Sequence, residues 1–408
     1  MSPTLKRILL IVALLSVSTL IAFALYLFFR RPVISIPGQQ PSATGTPGQL
    51  PTAGQRTSTV SPGGVDDGQQ LPGSQPGFTS SPPGPFQPEP VVKISEDFAT
   101  YASLGENGAM RYHNISDGKF YRLSPDGSAK ELSDQVFYGV KNVTWAKAKD
   151  KAVIEYPDGN KIVYNFENQK QVTLPKHWEE FSFSPDANEI AAKSLALSPE
   201  NRWIVVTKDD GTGTKLIEHL GNNADQVIMD WSPSRQTVAF SKTGQPQGAD
   251  RREVLFIGLN GENFKSTIVE GLNFQPQWSP SGQRLLYSVD SDRSDFKPEL
   301  WIVNAYGDQI GSNRQMLNLY TWAEKCTFAD DTTLFCAVPR NLPTGAGMSP
   351  AIADSIPDDL YKIDLRTGLR TELPTAGLYT INALSFDKDK NRLLFTDNNK
   401  TGVFEVDL

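Results

Sequence analysis

The stretch Gln277-Trp278-Ser279-Pro280-Ser281-Gly282-Gln283-Arg284-Leu285-Leu286-Tyr287 constrains the fold of this chain more than any other. It reads as a β-hairpin, with one strand ending at Trp278 and the next running through Leu285 and Tyr287. Ser279 can accept a bond at the first turn position, Pro280 presets φ at the second, and Gly282 suits the fourth position of a type I turn. Five further copies follow the same plan, anchored on Trp145, Phe183, Trp231, Phe328 and Phe386. In most copies an apolar residue stands seven and nine positions after the aromatic, as Ile190 and Ala192 do after Phe183. That is the period-2 spacing of a strand with one buried face.

Successive anchors are 38, 48, 47, 50 and 58 residues apart. A period near 45, filled with strand-like segments, is the pattern of β-propeller blades, each with four antiparallel strands. Outer hairpins are expected around Glu253–Gly261, Leu300–Gly307 and Leu360–Leu373, with glycine at the turn. Ahead of Trp145 there is room for one more blade, with its inner hairpin over Ser103–Tyr112 and its outer hairpin over Phe120–Leu132. The fold expected is all-β, a propeller of seven blades, with six or eight as the alternatives. The last strand-like segment, Val403–Leu408, lacks a fourth strand after it. Val91–Ile94 is spare at the start and is expected to complete that blade and close the ring, hiding its edges.

The copies Phe183-Ser184-Pro185-Asp186, Trp231-Ser232-Pro233-Ser234 and Trp278-Ser279-Pro280-Ser281-Gly282, each leading into a short aliphatic strand, resemble the TolB-type (WD40-like, PD40) propeller repeat. The resemblance covers most of 91–408 and speaks to fold far more than to function. It implies an extracytoplasmic domain. The α/β domain that precedes the propeller in TolB has no counterpart among these residues.

Ile8 to Phe29 form an apolar run free of Asp, Glu, Lys and Arg, long enough as a helix to cross ~30 Å of hydrocarbon. Ala22-Phe23-Ala24 has the form of a signal-peptidase site, but the apolar run continues past it to Phe29, so an uncleaved anchor is expected. Lys6, Arg7 and the amino terminus precede the span, while Arg30 and Arg31 follow it. This balance favours a cytoplasmic N-terminus and a single-pass protein with its C-terminal domain outside. Residues 32–90 are rich in Pro, Gly, Ser, Thr and Gln and cannot bury enough apolar surface to order themselves, so they read as a disordered spacer. Of the net charge of −7, the first 31 residues carry +4 and the spacer −2, leaving −9 on 91–408. An acidic domain argues against nucleic acid as a partner.

Few residues suggest chemistry. Cys326 and Cys336 would face each other on neighbouring strands if Phe328 faces Leu334, which makes them a candidate disulfide in an oxidising compartment; reduced core cysteines are the alternative. His113, His177 and His219 fall in different blades without metal-ligand spacing. No Gly-x-Ser-x-Gly elbow is present. Lys208–Lys215 lacks phosphate-loop spacing and reads as a hairpin, and Asp290–Asp295 lacks the features of a calcium loop and reads as a solvated turn. The longest inter-strand insertion, Pro339 to Pro357, carries Met348 and Ile352 as candidate binding residues. No catalytic residue, cofactor or metal ligand is assigned. The function expected is that of a monomeric, membrane-tethered, non-enzymatic module that binds a protein of the cell envelope. Envelope glycan or small-ligand binding in the propeller channel is the alternative.

Overall fold

A computed structural model describes residues 90–408 except 106–108, 125–126, 249 and 263. The anchor expected over Ile8–Phe29 and the spacer over 32–90 lie outside the described residues. Among the described residues no helix is long and apolar enough to cross a membrane.

Seven four-stranded antiparallel sheets make seven blades. Blade 1 runs outward from the centre as Ala99–Leu104, Met110–Asn114, Lys119–Leu123 and Ala129–Glu131. The innermost strands of blades 2 to 7 are Asn142–Trp145, Trp178–Phe183, Val227–Met229, Leu272–Trp278, Cys326–Asp330 and Ile381–Asp387. Val91–Ser95 pairs with Val403–Asp407 as the outermost strand of blade 7, so the two ends of the domain close the ring. Two outer hairpins are looser than expected. In blades 4 and 5 the outermost strand resumes only at Thr267 and Gln315, so Gly261 and Gly307 sit in longer loops rather than in tight turns.

The repeat owes its spacing to register. Trp145 pairs with Ala152, Phe183 with Ile190, Trp278 with Leu285 and Phe386 with Leu393. An aromatic and the residue seven later are cross-strand partners, so their side chains share one face of the sheet. That face always turns toward the preceding blade. Trp145 packs edge-on to Phe120 of blade 1, Trp278 stacks on Phe240 of blade 4, and Phe386 stacks on Phe335 of blade 6. In blade 1, Leu104 takes the aromatic's place and joins Leu394 and Val403 of blade 7. The core is therefore a circle of inter-blade clusters. Burying one such indole contributes roughly 4 kcal/mol.

The turn chemistry repeats as well. Ser184, Ser232 and Ser279 each accept, on Oγ, a bond from the backbone N–H five residues later. The fourth turn residue is left-handed in all three: Ala187 (φ 58°), Arg235 (φ 65°) and Gly282 (φ 72°). At Gly282 a Cβ would also lie 2.8 Å from the backbone nitrogen of Ser234 in blade 4. Gly282→Ala is therefore expected to cost about 1–3 kcal/mol. Urea denaturation of the variant checks this, and an unchanged midpoint would refute it.

Candidate functional site: the two faces of the propeller

Antiparallel order assigns every loop to a face. The turn between first and second strands and that between third and fourth emerge on one face, called here the turn face. Loops between second and third strands, and the connections from blade to blade, emerge on the other, the loop face.

On the turn face the central channel opens into a cavity of about 700 Å³. Every blade contributes a consecutive pair from its inner hairpin: Ser103–Leu104, Thr144–Trp145, Ser182–Phe183, Asp230–Trp231, Gln277–Trp278, Thr327–Phe328 and Ser385–Phe386. The second member of each pair is the core anchor and points back between blades. Phe183, Trp231 and Trp278 are almost fully buried this way. The first member is polar in every blade. Ser182 Oγ accepts from Trp231 N–H (2.8 Å), and Gln277 Nε2 donates to the Cys326 carbonyl (3.2 Å), so these two tie each blade to the next.

Asp230 occupies the same position, and its side chain makes no such tie. Its backbone is fixed, since its N–H donates to Val238 O and its carbonyl accepts from Trp278 Nε1. Its carboxylate has no hydrogen-bond or ion-pair partner among the described residues. Desolvation in the recess pushes its carboxyl up to about 7, against a weaker downward pull from Lys147. Asp230 is only partly shielded by area, so water in the channel still reaches it. The other charge in the lining is Lys147, exposed at the rim.

Charged ties surround the channel mouth on the same face. Arg111, almost fully buried, bonds Asp150 of blade 2 at 3.3 Å, and burial lowers its guanidinium to about 10. Lys151 pairs with Asp209 of blade 3, and Arg235 of blade 4 pairs with Asp186 and holds that carboxyl well below its usual value. In blade 6, Asp331 accepts from Ser281 N–H and Oγ of blade 5. These groups are engaged in joining blades.

The loop face is different in kind. Among the described residues sixteen large apolar side chains are exposed, and ten of them belong to this face. Four cluster at blade 1: Phe98, Ile115, Val136 and Tyr138, of which Tyr138 is 69% exposed. Val136 and Tyr138 both lie within about 3 Å of where a Cβ on Gly118 would be, and Ile115 N–H donates to Phe98 O. The sequence reading missed this cluster, because its members are far apart in the chain and none follows the repeat.

The Pro339–Pro357 insertion also lies on the loop face. It forms two short 3₁₀ segments, Ala346–Met348 and Pro350–Ser355, over a small core of Trp322, Leu342, Ala346 and Ala353. Met348 and Ile352 project from it, 60% and 37% exposed. Its backbone is fastened to blade 5 through Gly345 N–H to Asp295 O and Gly347 N–H to Phe296 O. This corrects the expectation of a solvated turn over Asp290–Asp295. Asp290 is 1% exposed, because Gly347 lies so close that a Cβ there would be 2.5 Å from Asp290 Cβ. Asn273 Nδ2 satisfies one of its oxygens, and Asp292 and Asp295 stay exposed.

Cys326 and Cys336 are directly opposed in register, Cα atoms 4.0 Å apart, and are joined as a disulfide. The pair sits in the core between blades 5 and 6, away from both faces. His113 is buried beside Phe120 with Nε2 on Phe137 O, and burial lowers its pKa, whereas His219 packs against Trp203. Lys208–Lys215 is a hairpin turn joining two strands. No group of three or more His, Cys, Asp or Glu among the described residues is placed to hold a metal. A cleft between blades 5 and 6 holds Lys297, Arg340 and Arg370, but Arg340 pairs with Asp359 at 2.7 Å and Arg370 donates to Asn318 O at 2.6 Å.

No family model matches the chain, and no curated protein matches it. Solved structures do. The fold is similar to oligogalacturonate lyase in complex with manganese, with 11% identity and a TM-score of 0.52 over 78% of this chain and 93% of that one. The oligogalacturonate lyase of Vibrio parahaemolyticus gives 12% and 0.52 over 78% and 93%. The Cps50 (Swd1) β-propeller domain of Myceliophteria thermophila gives 12% and 0.50 over 78% and 98%. The chain is a seven-bladed β-propeller. At these identities the likeness concerns the fold alone, since one fold hosts many functions.

Proposed function

We propose that this propeller is a non-enzymatic binding module that docks a protein partner of the cell envelope through its loop face. Residues Ile8–Phe29 would tether it to a membrane as a single-pass protein, with the propeller on the extracytoplasmic side, in the manner of TolB-type domains. The observation that carries the proposal is the apolar cluster of Phe98, Ile115, Val136 and Tyr138. Exposed apolar side chains gathered at one end of a blade, on an otherwise acidic domain, are costly in water unless something covers them. The insertion adds Met348 and Ile352 to the same face on a rigid, hydrogen-bonded support. Val91 begins the outermost strand of blade 7 at the turn face, the side opposite these apolar side chains. An oxidising compartment also agrees with the Cys326–Cys336 bond.

The test is affinity capture from membranes with the full-length chain, comparing Ile115→Glu/Tyr138→Glu with Leu216→Glu on an outer strand. A specific partner held by the parent chain and by Leu216→Glu, but reduced at least about tenfold by the double variant, is the result expected. Equal capture by all three, or none by any, would overturn the proposal. The alternative reading, ligand binding in the channel, is favoured by a separate observation at Asp230, whose chemistry defines a site of its own.

A further inference from the structure

We infer that the channel mouth on the turn face is a binding site for an organic cation, an alkylammonium or guanidinium group whose charge is taken by Asp230. This site lies on the face opposite the apolar cluster, so it stands or falls independently of the docking proposal.

The argument starts from an asymmetry in the ring. Seven blades place a polar side chain at one equivalent position, and six of these are neutral. In blades 3 and 5 the residue bonds the next blade's backbone. In blade 4 the residue is an acid with a fixed backbone and an unengaged carboxylate bordering a cavity of about 700 Å³. A structural role would leave that carboxylate bonded, as Asp186, Asp209 and Asp331 are on the same face. An unpaired acid in a recess is held at a cost, and such costs mark functional positions.

A carboxylate bordered by hydroxyl acceptors calls for a guest with several N–H donors and a positive charge. An ammonium offers three donors and a guanidinium five. The hydroxyls of Thr144, Thr327 and Ser385 border the same space and can accept the remainder. A bare metal ion fits poorly, because one carboxylate cannot supply the six or more oxygens a hard cation takes. Trp145, Phe328 and Phe386 pack between blades but are only half-buried, and the edges they leave on the cavity would lie against an aliphatic stem.

Lys147 and Asp230 are the charged groups in this lining. Lys147 stands at the rim and is not within ion-pairing distance of any acid among the described residues. It would repel an incoming cation and would assist an anion. The sign of its contribution therefore tells the two ligand charges apart.

The test is calorimetric titration of the full-length chain at pH 8 with two probes. One is the capped peptide acetyl-Gly-Ser-Lys-Ser-Gly-amide, and the other is butane-1,4-diamine. Saturable binding of either is expected, and whichever binds more tightly shows whether the cation arrives on a protein segment or as a free amine. Asp230→Asn should weaken binding at least about tenfold, the worth of one charge-assisted bond. Lys147→Ala should tighten it about two- to threefold, and acetylation of the probe amine should abolish it. Urea denaturation verifies that each variant is folded. Binding by neither probe, equal affinity in Asp230→Asn, equal binding of the acetylated peptide, or weaker binding in Lys147→Ala would each overturn the inference.

Discussion

Asp230→Asn is expected to make the propeller more stable by about 2–4 kcal/mol at pH 8 and to leave it nearly unchanged at pH 4. The carboxyl titrates near 7 in the folded domain against 3.8 in an unfolded chain. Below pH 4 both states are protonated, and asparagine resembles the neutral acid. As the pH rises from 4 to 7 the unfolded state gives up its proton first, so folding binds protons and the wild-type chain loses stability. Above 7 both states are ionised and the cost is complete. A carboxyl held at 7 rather than 3.8 corresponds to about 4 kcal/mol, and access of channel water to Asp230 argues for a value toward or below that. Urea denaturation at both pH values measures it. A variant no more stable than the parent at pH 8, or a difference of the same size at pH 4, would show that the recess does not penalise the charge. Stability gained together with cation binding lost is the trade-off expected where a strained group serves a ligand.

How much of this could be read in advance differs between fold and surface. The repeat was legible because one physical constraint, burial of an aromatic against the preceding blade, recurs in each copy at a spacing set by hairpin register. Trp145, Phe183, Trp278 and Phe386 are all paired as that spacing requires. Closure by Val91–Ser95 was legible as an unpaired strand at one end and a missing strand at the other. Bulges were not. In blades 1, 3, 5 and 7 the innermost strand carries one extra residue, with Tyr101, Glu180 and Asn273 in left-handed conformations. Nothing in residue type signals them, because their side chains or backbones are held by tertiary partners: Tyr101 O takes Trp145 Nε1, Glu180 pairs with Lys193, and Asn273 bonds Asp290.

The candidate sites divide the same way. Met348 and Ile352 stood out because a long insertion is visible along the chain. The Phe98–Ile115–Val136–Tyr138 cluster was not visible, since it is assembled from three separate connections. Asp230 was in plain view within the repeat, immediately before Trp231, yet only its neighbours' bonding makes it unusual. Thr144, Ser182, Gln277, Thr327 and Ser385 hold the corresponding place, and the contrast with Asp230 in charge is a sequence signal that alignment of the copies contains. Its lack of a partner is a structural one.

Lys325→Met is expected to cost about 3–5 kcal/mol, while Lys325→Met with Asp358→Leu should recover most of that loss. Lys325 precedes the innermost strand of blade 6, and its ammonium donates to Asp358 (2.9 Å) and to the carbonyl of Ile381 (2.9 Å) at the start of blade 7. Asp358 also accepts from Ile381 N–H at 2.7 Å, while its Oδ1 is unpartnered among the described residues. Burial pushes this carboxyl up to about 6 even though Lys325 pulls the other way. Desolvation therefore outweighs the attraction of the pair, and the bridge itself is a poor source of stability. Removing the lysine alone leaves an isolated acid that must protonate to stay buried, so the penalty should be larger at pH 8 than at pH 5. Removing both groups replaces a costly polar pair by apolar contact, next to the blade that closes the ring. Denaturation of the two single variants and the double variant at both pH values gives the coupling directly. Equal losses for Lys325→Met at pH 5 and pH 8, or a double variant no better than the lysine variant, would show that the tie between blades 6 and 7 depends on something other than this buried charge.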